Sequence, residues 1–441
     1  MNVTLIYPSS TKSNPSLHWW QQPRSHRYPG LGWLIVSSLC DRTTKIRLVD
    51  DEVEDIPYED ATDLVGISLF TVNSYRAYEI SSHFRSRGIP VVLGGVHVTA
   101  CPGEASAHAD SIVVGEAEDT WPILLEDFKS GKLKKVYTSA NNSDLTNMPL
   151  PRRDLLDKTK YFTINTVQAT RGCPFDCEFC SMRILFGNRT RCRPIQEVIE
   201  EIRSLDGHSF LLNDDNLAQK RSYYKDLFRS FIPLKKRWVG AASWNIAQDD
   251  EALDLLEKSG CRALAIGFES LEPQYGLKKI SSKGDHFLRY KEVVKKLHSR
   301  KIAILANFIF GFDNESESIF QKTFDFAQES RIDAAQFNIL VPYPGTPLYE
   351  RLGKEGRITT REWNRYISCN LCFKLKTMSS PTFMEELYRL KRKFYSGSNM
   401  AARTMRALAR ATPYEAGLLL AVNLGYRRFN RKLSKLFLKD S

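Results

Sequence analysis

No run of about 18 apolar residues occurs in the chain, so no segment is expected to cross a bilayer as a helix. The first residues, MNVTLIYPSS, offer neither a basic start nor a long apolar stretch, and a signal peptide is not expected. Cysteine is sparse and odd in number, nine in 441 residues, which excludes the disulfide framework of a small secreted domain. Glycine (24) and proline (19) are at ordinary levels, and 42% hydrophobic residues beside 26% charged ones exclude collagen-like and disordered chains. A reduced, cytoplasmic setting is the expectation.

Acidic residues are scarce in one place. Residues 391–441 hold twelve Lys/Arg and two Asp/Glu, a surplus of +10 out of the chain's net +12. The remaining body is close to neutral, which argues against a nucleic-acid groove. The basic tail reads YEAGLLLAVNLGYRRFNRKLSKLFL over 414–438. Phe429, Leu433 and Leu436 recur there at helical spacing among Arg427, Arg428, Arg431, Lys432 and Lys435. Two readings stand: a terminal helix docked by its apolar face, or an interfacial helix touching a membrane surface.

Across the rest of the chain, short apolar runs alternate with amphipathic stretches. Runs at 3–7, 46–50, 64–68, 91–93 and 111–114 read as strands, and 74–87 as a helix with Gly88 as its stop. Alternation of this kind favours a doubly wound, Rossmann-like parallel sheet. A polar linker follows at roughly 129–160. The alternation then resumes, with strands expected at 162–169, 209–213, 238–243, 263–267, 303–310 and 334–340. Helices are expected at 194–205, 222–231, 249–259, 287–300 and 316–329. Pro194 suits a first helical position and Gly260 a helix end. Six such units predict a partial (β/α)6 TIM-like barrel. The expected division is 1–140, a linker 141–160, the barrel 161–350, and a helical region 351–441.

The sharpest motif is TRGCPFDCEFCSM. Cys173, Cys177 and Cys180 stand as C-x3-C-x2-C on one loop after the first barrel strand, and thiolates are the ligands that iron–sulfur clusters require. Three thiolates on one loop suit three irons of a 4Fe–4S cluster and leave the fourth iron open. A structural zinc site would call for a fourth ligand and more separated pairs.

With this motif the chain resembles the radical S-adenosylmethionine (SAM) superfamily over about 162–350. The resemblance implies that the open iron chelates SAM and that one electron cleaves it to a 5′-deoxyadenosyl radical, with flavodoxin or ferredoxin as a low-potential donor. It implies Phe179 against the adenine. Asn213, Asp214 and Asp215 follow the second strand near the SAM amino group, with LLNDDN where Gly-Gly-Glu is common, so a backbone role is expected there. It implies Glu269 and Ser270 of IGFES at the ribose, Gly311 of FIFGFD near the adenine, and residues 342–347 closing the sixth strand.

The text DLVGIS, IPVVLGGVHVTACPGEA and ADSIVVGEAEDTWP further resembles the subgroup with an amino-terminal cobalamin-binding domain. There Ser68 would face the nucleotide tail of cobalamin, and Gly94 and Gly95 would let it pass. No D-x-H-x-x-G occurs, so no His is placed as a lower cobalt ligand, and His97 is expected at the rim or in the core. The implied reaction is C-methylation of a small-molecule or lipid-like substrate, since relatives of this architecture include enzymes acting on hopanoids and chlorophyll precursors. The alternative is a radical rearrangement, oxidation or C–C coupling with no cobalamin. A tRNA methylthiotransferase would need three further Cys in the first domain, which has only the separated Cys40 and Cys101. Cys192 and Cys261 are expected to be structural; Cys369 and Cys372 are expected to pack, with a substrate-side thiol or a zinc half-site as the alternative; Tyr343 is expected to pack rather than donate a hydrogen atom at the barrel mouth, and the Trp19–Trp20 pair to pack rather than line a cofactor or apolar substrate.

Overall fold

The computed structural model describes residues 1–12, 27–139, 142–217, 219–272, 277–278 and 286–437. Trp19, Trp20 and Asn141 lie outside them, as do the side chains of Lys435 and Leu436. The chain divides into two compact units. The first comprises Met1–Pro174, Glu178–Glu201 and Val341–Cys372; the second comprises Phe175–Cys177, Ile202–Leu340 and Phe373–Ser441.

The first unit is built on a six-stranded parallel sheet. Its strands are β1 (Asn2–Tyr7), β2 (Lys45–Asp50), β3 (Leu64–Ser68), β4 (Val91–Gly94), β5 (Ser111–Val114) and β6 (Val136–Thr138), in the order β2-β1-β3-β4-β5-β6. Helices α1 (Leu31–Ser38), α2 (Ser74–Ser86), α3 (Val96–Ala100), α4 (Pro102–Ala107) and α5 (Trp121–Lys129) connect them. This is the doubly wound fold that the alternation predicts. Strands buried on both faces read as apolar runs, and Leu64, Val65, Ile67, Val91, Val92 and Leu93 are all in the core. Gly88 ends α2 as expected, in left-handed backbone at φ 75°. β6 falls within the stretch read as linker; three residues flanked by lysines give too short an alternation to register as a strand.

The second unit holds β7 (Ser209–Leu217), β8 (Arg237–Ser243), β9 (Cys261–Glu269), β10 (Ala303–Phe310) and β11 (Ala334–Ile339), each parallel to the next. Between them run α6 (Arg221–Phe231), α7 (Asp250–Lys258), α8 (His286–Ser299) and α9 (Ser318–Glu329). This is the consecutive strand order of a partial barrel. Along β9 and β10 the fully buried residues alternate with half-exposed ones. Phe268 stacks on Phe308, and Phe308 on Phe337, with ring centroids 5.8 Å apart in both pairs. Their alternates, among them Ala265, Gly267, Glu269 and Asn307, occupy the opposite face of the sheet.

Local chemistry sets the ends of α7. Asp249 caps it by accepting from the Ala252 amide at 3.1 Å. Gly260 closes it at φ 92°, where a Cβ would strike the Lys236 carbonyl.

The expected strand at 162–169 is reduced to Thr166–Val167. Its carbonyls are taken by side chains: Arg153 donates to the carbonyls of Ile164 and Thr166, and Arg193 to that of Gln168. Both guanidiniums meet the buried Glu201 carboxylate. Backbone groups satisfied this way have less need of a ladder.

In the first unit α10 (Pro347–Lys354) follows the loop 342–347. The second unit ends in α11 (Ser380–Phe394), α12 (Gly397–Leu408) and α13 (Pro413–Phe437). On α13, Ala416, Asn423, Asn430 and Leu433 are buried, near one stripe of the helix, and Asn423 bonds to Arg403 and to the Asp333 carbonyl. This is the docked reading of the tail. Among the described residues, no helix is long and apolar enough to cross a membrane.

Candidate cofactor sites

Cys173, Cys177 and Cys180 form no disulfide, and each is half-buried. The loop that carries them is held by first-unit partners just before Cys173 and at Glu178, while Phe175–Cys177 are assigned to the second unit. Before it, Thr170–Arg171 pairs antiparallel with Arg191–Cys192. Gly172 adopts φ 82°, and a Cβ there would collide with the Arg189 carbonyl, so only glycine fits. Within it, the Glu178 carbonyl accepts from the Leu348 amide at 3.0 Å, and its carboxylate takes two bonds from Arg351 of α10.

Arg171, next to this glycine, is buried in an ion-pair hub. It donates to Glu116 at 3.1 Å and to Glu118 at 2.5 Å. Glu116 also accepts from Arg191 at 2.7 and 2.8 Å and from the Ser143 amide at 2.8 Å. Glu116 and Glu118 belong to the turn after β5. The sequence marks that turn only as GEAED, and nothing in it assigns the acids a partner at Arg171.

The donor set fits an iron–sulfur cluster. Among the described residues, no three His, Cys, Asp or Glu side chains converge on a point that would hold a single metal ion. Three thiolates that each meet a different iron need not converge. Glu269 ends β9 at φ 58°, where the register with β10 shifts. Burial pushes its carboxyl up to about 7. It folds back over Gly267, where a Cβ would displace the carboxylate; that glycine escapes a sequence reading. Ser270 donates to Glu315 at 2.5 Å, and Glu315 also accepts from the amides of Gly311 and Phe312 at 2.7 and 3.1 Å. Burial raises Glu315 to about 7 despite these bonds. Gly311 sits at φ 112°. Glu315 thus ties two residues of the expected SAM set together, a link with no signature in the sequence.

Asn213, Asp214 and Asp215 lie inside β7 rather than after it, on a bulge between Leu212 and Leu217. Asp214 is buried and accepts from the Tyr224 hydroxyl at 2.9 Å, while Asn213 is exposed. Phe179 is half-buried on the cysteine loop.

The second site lies at the carboxyl ends of the strands of the first unit. Leu5, Ile6, Trp33, Gly66, Ile67, Ser68, Val92, Gly94, Gly95, Val113, Gly115 and Trp121 line a cavity of about 70 Å3 that is partly open to solvent. Ser68 stands opposite Gly94 in the β3–β4 register. Gly95 is required at φ 108°, where a Cβ would lie 2.6 Å from the Leu69 carbonyl oxygen, whereas a Cβ on Gly94 would meet only Val113 at 3.7 Å. Gly66 and Gly115 also open the cavity, and neither is distinguished in the sequence from other strand-end glycines. His97 is fully buried between Thr71 and Glu104, and burial lowers its pKa. It is a core residue, as expected. Cys261, Cys369 and Cys372 are enclosed as well, while Tyr343 is half-buried against the same core, where burial raises it to about 12.

The model of the radical SAM superfamily matches residues 167–327, and that of the B12 binding domain matches 29–125. The bacteriochlorophyllide d C-12(1)-methyltransferase of Chlorobaculum tepidum is 32% identical over 416 residues, 92% of this chain and 89% of the relative. The hopanoid C-2 methylase of Rhodopseudomonas palustris is 26% identical, covering 81% of this chain and 71% of the relative. The structure of the radical SAM methyltransferase TsrM from Kitasatospora setae, with cobalamin and a [4Fe-4S] cluster, superposes with a TM-score of 0.70 at 15% identity. That match covers 98% of this chain and 99% of the other. The chain belongs to the radical SAM superfamily, in the group of methyltransferases with an amino-terminal cobalamin-binding domain.

Proposed function

We propose that this enzyme methylates carbon in an apolar small-molecule or lipid-like substrate, using SAM, a 4Fe–4S cluster and cobalamin. The observation that carries the reading is the C-x3-C-x2-C loop, whose Cys173 and Cys180 belong to the same unit as the glycine-lined cavity. When bound, the reduced cluster supplies an electron to SAM and the corrinoid supplies a transferable methyl group. Cys173, Cys177 and Cys180 would hold the cluster, and Ser68, Gly94 and Gly95 would admit the corrinoid tail. The substrate class follows the relatives, named for bacteriochlorophyllide d and hopanoids. The test is anaerobic turnover with candidate lipids and tetrapyrroles. A product heavier by one methylene unit is expected; a product formed without that gain would favour a rearrangement, oxidation or coupling.

For SAM we assign Phe179, Asn213, Asp214, Glu269, Ser270 and Gly311, with Glu269 as the acceptor for a ribose hydroxyl. A carboxylate accepts such a bond better ionised than protonated, and Glu269 starts near 7. SAM affinity should therefore fall as pH drops through about 7. Glu269→Gln should weaken binding about tenfold to a hundredfold and flatten that pH dependence, with iron content unchanged. Equal affinity in wild type and variant across pH 6–8, read by equilibrium dialysis, would remove Glu269 from the site.

Contact with a membrane surface belongs to the same reading. Met405, Leu408, Tyr414 and Leu418 are exposed apolar residues around the junction of α12 and α13, within the basic tail. Flotation with anionic vesicles at low salt and release at high salt is expected. Protein left at the bottom of the gradient at low salt would reduce the tail to docking alone.

A further inference from the structure

The first unit holds another cavity, which shares no lining residue with the one at the strand ends. It is a solvent-open groove of about 590 Å3, within the size range of small-molecule sites. Tyr75 and Tyr78 stand one turn apart on α2, Glu104 comes from α4, Tyr349 from α10, and Arg361 and Trp363 from the segment after it. His108 completes the wall, its ring stacked on Tyr78 at 3.9 Å. One carboxylate thus lies among aromatic rings. Glu104 accepts from the Tyr78 hydroxyl at 2.9 Å, and both its oxygens share the Trp363 indole N–H at 3.0 Å. Its third neighbour, His97, is 3.4 Å away, and burial lowers the pKa of that ring, which keeps it neutral at pH 7. No Lys or Arg pairs with Glu104 among the described residues, although its side chain is 34% exposed. The contrast is Glu116 of the same unit, which two guanidiniums neutralise. The Arg361 guanidinium is exposed and, among the described residues, meets no carboxylate.

A carboxylate that meets only neutral donors, beside several π systems, is a place for a cation. The donors already on Glu104 take up much of its accepting capacity. A primary ammonium has three N–H groups to satisfy and would find too few acceptors there. A methylated ammonium has none, and its methyl groups pack on aromatic rings. We propose that this groove binds a zwitterion in which a methylated ammonium and an acidic group are joined by a short chain. The ammonium lies by Glu104 and the rings of Tyr75, Tyr349 and Trp363, and the acidic group pairs with Arg361. The site shares no residue with those assigned to SAM and the corrinoid, and it stands whether or not the corrinoid is bound.

The experiment is calorimetric titration of the anaerobically prepared full-length protein with phosphocholine, with choline, and with 3,3-dimethylbutyl phosphate, in which carbon replaces the charged nitrogen. Wild type should bind phosphocholine about tenfold more tightly than either of the others. Glu104→Gln keeps an acceptor for Tyr78 and Trp363 and removes the charge. It should weaken phosphocholine about tenfold while leaving 3,3-dimethylbutyl phosphate within about twofold. Arg361→Gln, at an exposed position, should lower phosphocholine to the affinity of choline, with choline itself unchanged. If the Glu104 variant misfolds, Tyr75→Leu serves in its place, because Tyr75 is 40% exposed. It keeps apolar surface without a π face, and should weaken both ammonium probes about fivefold and spare 3,3-dimethylbutyl phosphate. Wild type that binds phosphocholine no better than 3,3-dimethylbutyl phosphate, or that does not bind it, overturns the proposal. So does wild-type affinity for phosphocholine in the variants. Sedimentation with phosphatidylcholine vesicles, competed by free phosphocholine, identifies a lipid headgroup as the source; binding of the free zwitterion alone identifies a soluble one, and both uphold the site.

Discussion

Glu116→Ala should destabilise the first unit by about 3–5 kcal/mol and lower the iron content of the reconstituted protein. The side chain is almost wholly buried, and its two oxygens neutralise Arg171 and Arg191. Removing it leaves Arg171 with Glu118 and Gln168, and leaves Arg191 bonded to the Ser143 carbonyl. Breaking a buried ion pair from one side costs this much because the surviving charge stays out of water. Arg171 is followed directly by Gly172 and Cys173, so the loss of its anchor falls on the cluster loop. Glu116→Gln keeps an acceptor and should cost less. Denaturant melts and iron analysis check both effects. A Glu116→Ala protein with wild-type stability would show that the hub is dispensable.

Replacing Cys173, Cys177 and Cys180 together by Ala should abolish the broad visible absorbance of the cluster and all formation of 5′-deoxyadenosine from SAM. Each thiolate is a ligand that alanine cannot replace, and Cys192, on the neighbouring ladder strand, does not belong to the C-x3-C-x2-C spacing. The fold should survive, because these side chains are half-buried and the loop is held by Gly172, Arg171 and Glu178 rather than by the thiols. The corrinoid cavity contains none of the three, so hydroxocobalamin uptake should persist. Anaerobic spectroscopy and product chromatography read the two outcomes separately. 5′-Deoxyadenosine from the triple variant would contradict the cluster assignment.

What the sequence made legible was local. The cysteine loop, the Gly94-Gly95 pair and the strand–helix alternation each lie within a few consecutive residues, and each appears in the structure where expected. Features that depend on distant partners were not legible. Glu116 meets Arg171 and Arg191 across 55 and 75 positions. Glu315 joins Ser270 to Gly311 across 45 and 4. The strand at 162–169 was read from its apolar content, but buried arginines compete for its carbonyls, a tertiary effect that overrides local pattern. The positive φ of Glu269 is likewise set by a bulge in the β9–β10 register rather than by its own propensity.

The central claim, that one chain binds both an iron–sulfur cluster and a corrinoid, is tested most directly by metal analysis. The protein is purified anaerobically, reconstituted with iron and sulfide, incubated with hydroxocobalamin and desalted. The account predicts four irons and one cobalt per chain, with the cobalt retained and the iron lost in the triple-cysteine variant. Wild-type protein that carries iron but no cobalt after this treatment would contradict it.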